Sequence, residues 1–159
     1  MRIYAPSLFD RLFGNAASSP VIRLLDLDEL KESVARDLEA LLNTRRVPDF
    51  DDESVSEPLR RSVLGFGLID FSSMSLGNVH DRLSICAALK HAIEVHEPRL
   101  QDVEVTLDVE RREHKQLAFS INARLVTRPA NEPVCFDALL QPATLQYSVL
   151  GHTNRPQTE

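Results

Sequence analysis

Residues 103–109, Val-Glu-Val-Thr-Leu-Asp-Val, alternate apolar and polar side chains, and Leu117, Phe119, Ile121, Ala123 and Leu125 repeat the alternation. A period of two places every second side chain on one face, so each run predicts a strand with one buried and one wet face. Residues 111–115 between them form a charged turn, and residues 129–133, bounded by two prolines, turn the chain again. Residues 134–149 continue in a strand-like pattern interrupted by Pro142. Three antiparallel strands are therefore expected. The one carrying Pro142 is placed at an edge, because proline cannot donate within a central ladder.

Upstream of residue 100 the period lengthens. Leu27, Leu30, Val34, Leu38, Leu41 and Leu42 recur at three- and four-residue steps, the apolar face of a helix. Asp26 and Glu29 have capping-box spacing, Arg45 and Arg46 follow the helix where its dipole favours cations, and Pro48 prevents extension. Residues 49–57 form a polar loop. Residues 62–76 are apolar but broken by Gly65 and Gly67, which predicts a short helix, a glycine turn and a buried loop. A second long helix is expected over 79–97, with Leu83, Cys86, Leu89, Lys90 and Ile93 along one face, ending before Pro98. Nearer the start, Leu8, Phe9, Leu12 and Phe13 share one side of a short helix over 7–13, followed by a linker over 16–20.

Helices followed by antiparallel strands define an α+β fold, N-terminal helices packed on one face of a small sheet formed by the C-terminal half. The organisation expected is a short helix and linker over 1–20, a single domain over 21–150, and a mobile tail over 151–159 without apolar residues.

Composition limits function. The chain has 159 residues, 43% of them hydrophobic, which suits one ordinary core and excludes wholesale disorder. The formal charge of −6 disfavours phosphate backbones, whose capture depends on Lys and Arg. Between Asp26 and Glu57 eleven acids face four bases, leaving −7 there and +1 in the remainder. The plain account of that acid is a solvated face; the near-neutral half would then make the contacts. Cys86 and Cys135 lack metal or redox spacing and fit small buried side chains in a reducing cytosol. No run approaches the ~20 apolar residues that span a bilayer, and no signal peptide is recognisable. A cytoplasmic protein is expected.

Catalytic signals are weak. A glycosidase needs two carboxyls with distinct environments, whereas the acids here fall on helix faces, caps and strand exteriors, and tryptophan is absent. His91 and His96 are five residues apart, which splays them around a helix, so no metal site is expected. Ser72, Ser73 and Ser75 lack a nucleophile elbow, and Gly65-Phe66-Gly67 lacks the third glycine and strand-to-helix setting of a dinucleotide loop. No cofactor is implied and no enzyme is expected. Glu97-Pro98-Arg99-Leu100 stands between the second helix and the first strand. It is either a helix terminator with two solvent-facing charges or a rigid turn that projects Glu97 and Arg99 toward a partner carboxylate or guanidinium.

The chain resembles the TssE family of type VI secretion baseplate subunits, which are similar to the small, "lysozyme-like" wedge protein of contractile phage tails. The resemblance lies in Ser7-Leu8-Phe9-Asp10-Arg11-Leu12, Leu41-Leu42-Asn43-Thr44-Arg45-Arg46, Ser62-Val63-Leu64, Gly67-Leu68, Asp70-Phe71 and Glu97-Pro98-Arg99-Leu100, in order and to about residue 150. Ile69 stands where the family's loop has proline. The resemblance implies a structural subunit beside TssF and TssG, with TssK nearby. In it Glu97, Pro98 and Arg99 hold the wedge together, and the sheet exchanges strands with TssB/TssC sheath subunits to template the sheath. Alanine at Glu97 or Arg99 is then expected to weaken assembly with little change in melting temperature. The family label adds a peptidoglycan hydrolase as an alternative; a free-standing cytoplasmic adaptor fits the composition but explains no motif.

Overall fold

The computed structural model describes residues 4–5, 24–46, 55–75, 78–108, 117–128, 130–141 and 143–152. The helix expected over 7–13, the linker over 16–20, the acids at 49–53, the turn over 111–115 and Pro142 lie outside them. The described elements are helices α1 (Leu27–Asn43), α2 (Glu57–Arg60) and α3 (Val79–His96), a 3₁₀ turn (Val63–Gly65), and strands β1 (Leu100–Asp108), β2 (Leu117–Leu125), β3 (Glu132–Gln141) and β4 (Gln146–His152). The strands form one antiparallel sheet in the order β1-β2-β3-β4, so the fold is α+β with the helices first.

α1 starts as its sequence dictates. Asp26 Oδ1 accepts the Glu29 amide at 2.8 Å and Glu29 Oε2 accepts the Asp26 amide at 3.0 Å. Such a cap contributes on the order of 1 kcal/mol by satisfying amides that have no intrahelical partner. Leu30, Val34, Leu38, Leu41 and Leu42 are buried, the face read from the leucine spacing. The 3₁₀ turn and Gly67 match the short helix and glycine turn expected over 62–76, but the loop after them is not buried: beyond Leu68, Asp70, Ser72, Ser73 and Ser75 are exposed.

Three further expectations need correction. The sheet has four strands, because residues 134–149 fold back on themselves: Gln141 carbonyl accepts the Thr144 and Leu145 amides, and Leu145 adopts φ 54° in the turn. The proline-interrupted run is thus a central strand, β3, followed by an edge strand, β4. That edge strand runs on through Gly151 and His152, which pair with Phe136 and Cys135 although the tail was expected to begin at 151. The buried face of α3 is also rotated: Ile85, Leu89, Ala92 and Ile93 are covered, while Leu83 is 64% exposed and Lys90 lies in solvent. α3 carries apolar residues on more than one side, so the contact with β1 decides which side turns inward.

The core lies between the helices and one sheet face. Phe119, Ile121, Ala123 and Leu125 of β2 alternate inward beside Val134, Phe136, Ala138 and Leu140 of β3. Phe119 sits opposite Ala138 and Ile121 opposite Phe136, so small and large side chains share the layer. α1 packs against β4 and α3 against β1.

Candidate interface site

The turn from α3 into β1 is where sequence reading placed Glu97, Pro98 and Arg99. α3 ends with the Glu97 amide on the Ile93 carbonyl at 2.8 Å, and the Glu97 carbonyl accepts Leu100 N–H at 3.0 Å, closing a tight turn with Pro98 outermost. Proline suits this position because it needs no amide donor and holds Glu97 out of helical geometry.

The two charges do not project. Arg99 folds back on Glu97, donating Nε to Oε1 at 2.6 Å and Nη2 to Oε2 at 2.5 Å, and the Arg99 amide adds a third bond to Oε1 at 3.2 Å. The same Nη2 reaches Asp37 Oδ2 on α1 at 2.5 Å. Glu97 is 5% exposed, and the Arg99 and Asp37 side chains are about 28% and 30% exposed. Burial by itself would favour a neutral Arg99, but the hydrogen bonds and charges of Glu97 and then Asp37 outweigh it and hold the guanidinium firmly protonated. The physical reason for the inward fold is that a carboxylate this buried needs a fork of donors. The arrangement is a clasp between two segments 62 residues apart.

Asp37 was not singled out by sequence. It looked like one more acid on a solvated helix face, and only its place beside Leu38 on the buried side of α1 hinted otherwise. The acidic segment is therefore not wholly turned to water: Asp26 and Glu29 cap, Asp37 joins the clasp, and Glu39 accepts a bond from β4.

The glycine loop joins this region. Gly67 has φ 116°, and a Cβ there would lie 2.5 Å from the Thr44 carbonyl oxygen, so only glycine lets Leu68 bond Thr44 and Arg46 at the end of α1. Leu68 N–H donates to the Thr44 carbonyl and Arg46 N–H to the Leu68 carbonyl, both at 2.8 Å. His96, next to Glu97, bonds the Gly65 carbonyl through Nε2 at 2.9 Å and meets the Phe66 ring edge-on at 5.3 Å. Burial pushes the His96 pKa below its ordinary value; the Gly65 bond opposes this and the Arg46 and His91 charges reinforce it. Asp70 accepts the Ser72 amide and hydroxyl, both at 2.9 Å, which lowers its pKa and closes the turn after Ile69. Of the residues quoted for the resemblance, Thr44, Arg46, Leu68, Glu97 and Arg99 meet at or near the C-terminal ends of α1 and α3, while 7–12 lie outside the described residues.

Among the described residues no group of three or more His, Cys, Asp or Glu is arranged to hold a metal ion, and no helix is long and apolar enough to cross a membrane. Cys86 and Cys135 are free thiols, each partly buried.

A helical layer preceding a four-stranded antiparallel sheet, with a charged clasp joining α1 to the turn between α3 and β1, defines a small α+β domain. Residues 28–130 match the family model for baseplate wedge protein gp25, and the chain belongs to that family. It is a structural protein of the baseplate wedge type, whose family associates with other baseplate subunits. A search of the curated proteins gave no match.

Proposed function

We propose that this chain is the TssE subunit of a type VI secretion baseplate. It is non-enzymatic, helps hold the wedge together beside TssF and TssG with TssK nearby, and templates the TssB/TssC sheath through strand-mediated contacts. It works in the cytoplasm, within a baseplate docked at the membrane. The observation that carries the reading is an apolar patch beside the Glu-Pro-Arg turn. Val63 and Leu64 are 83% and 53% exposed on the 3₁₀ turn, and the next residue, Gly65, is bonded to His96. Exposed apolar side chains next to a rigid charged turn have the make-up of a protein interface, an apolar centre with a polar rim. Glu97 and Arg99 then act mainly by fixing the turn, so that Pro98 and the outer edge of the Arg99 guanidinium meet the partner in one geometry.

Co-expression with TssF and TssG followed by pull-down tests this. Val63→Asp with Leu64→Asp is expected to abolish the wedge complex, and Arg99→Ala or Glu97→Ala to weaken it at temperatures where each variant remains folded. Full assembly by all of them would refute the interface. Purified protein is also expected to leave peptidoglycan intact; turnover lost on removing one carboxyl would favour the hydrolase instead.

A further inference from the structure

Between the Gly67 loop and α3 lies a cleft of about 70 Å³. That is roughly five times the ~10–15 Å³ that one water needs, which gives room for one short side chain. Leu68 and Ala92, 2% and 7% exposed, give the cleft a buried apolar lining, and Arg46 and His91 give it N–H donors. Among the described residues, none that lines it is an acid. Its shape is set in advance. Gly67 has no room for a Cβ, and Leu68 donates to the Thr44 carbonyl and accepts the Arg46 amide, both at 2.8 Å, which fixes the loop. The α3 side is kept open by alanines: Ala88 and Ala92 stand one turn apart on one face.

The same stripe of α3 leads to the exposed apolar patch. His96, the next turn after Ala92, bonds the Gly65 carbonyl, and Gly67 follows Leu64 by only three residues. A partner surface of ordinary size, ~800 Å² a side, that covers Val63 and Leu64 therefore extends over the cleft as well. Such cover takes water from the Arg46 guanidinium, which is unfavourable unless an acceptor replaces it. A guanidinium has five donors, so it serves an incoming carboxylate alongside acceptors within the chain. An imidazole donates from one ring nitrogen in either neutral tautomer. The apolar lining meanwhile suits the methylene stem of an aspartate or glutamate.

We propose that this cleft is a socket for one carboxylate side chain of a wedge partner, held by Arg46 and His91 while apolar neighbours of that side chain cover Val63 and Leu64. This rests on the interface proposed above and names what its partner presents: an apolar segment carrying an acid.

The test is capture of co-expressed TssF and TssG by variants of the full chain, at a temperature where melts show each to be folded. Ala88→Leu fills the cleft with a good helix former and is expected to cut capture about tenfold or more. Ala87→Leu, at the next and exposed position, is expected to leave capture unchanged. At the exposed His91, His91→Glu is expected to cut capture about tenfold or more by like-charge repulsion, and His91→Lys to retain it. That pair keeps the test decisive if Ala88→Leu does not fold. Equal loss with Glu and Lys at position 91 overturns the carboxylate. Full capture by Ala88→Leu, where Val63→Asp with Leu64→Asp abolishes it, overturns the socket while the interface stands. Capture indifferent to the Val63 and Leu64 substitutions overturns the interface itself. Self-association of the isolated chain that Ala88→Leu abolishes would assign the cleft to a second copy and overturn the wedge partner.

Discussion

Replacing Arg99 with alanine is expected to destabilise the isolated chain by about 3 kcal/mol. The loss centres on Glu97, whose 5% exposed carboxylate would forfeit the Nε and Nη2 bonds at 2.6 and 2.5 Å and retain only the amide at 3.2 Å. Removing one partner from a fully buried ion pair costs ~3–5 kcal/mol, and the low end applies because Arg99 and Asp37 are about 28% and 30% exposed, so water can reach the vacated space. For a domain of this size each kcal/mol shifts Tm by ~2–4 °C, giving a fall of roughly 6–12 °C. Asp37→Ala should cost only about 1 kcal/mol, since Asp37 is partly solvated and its removal leaves the Glu97 fork intact. Adding Glu97→Ala to Arg99→Ala should recover part of the loss, because no carboxylate is then left buried without a partner. Thermal melts and urea titrations at pH 7 measure all three. A Tm change under about 1 °C for Arg99→Ala, or an equal cost for Asp37→Ala, would refute the account in which burial of Glu97 sets the energy. The sequence-based expectation was the small change, and the clasp is the reason for revising it.

Among the described residues Tyr147 Oη is buried without a hydrogen-bond partner, and burial pushes its pKa up to about 12. Tyr147→Phe should therefore leave stability unchanged or raise it by up to about 1 kcal/mol, and a urea midpoint that falls would contradict this. Because the folded pKa of His96 lies below its unfolded value, neutral His96 contributes stability above pH ~6.5 that is lost as pH falls through the lowered folded value. Melts between pH 7 and 5 should show that loss, and His96→Gln should flatten it; an identical profile for the variant would remove His96 as the cause. Gly67→Ala should cost about 2 kcal/mol or more, since it combines a strained φ with a Cβ 2.5 Å from the Thr44 carbonyl. A wild-type midpoint in urea would show that the loop can re-form without the Leu68 bridge.

The helices and strands themselves were legible in the chain because their periods are local. The Asp26–Glu29 cap, the leucine face of α1 and the alternation over 103–108 and 117–125 each depend on neighbours within a few residues, and the structure holds all of them. The Glu-Pro-Arg turn was legible as a turn for the same reason: proline acts on the residue before it. Where two local patterns competed, sequence was insufficient. Residues 134–149 scan as one strand, and only closure of the 141–145 turn against β3 makes them two. α3 has apolar residues on several sides, and β1 selects among them.

What the chain could not reveal by itself is the direction in which charges point, because that depends on partners far away in sequence. Arg99 meets Asp37 across 62 residues, and Glu39 and Asn43 meet Val149 and Tyr147 across 110 and 104. Burial of Glu97 turns two apparently solvent-facing charges into a clasp, and Asn43 and Glu39 bind the outward backbone of β4, which alternating sequence does not reveal. Periodicity determined the elements; packing decided which polar groups were satisfied inside the molecule and which were left for a partner, since an unpaired group is costly only where water is excluded.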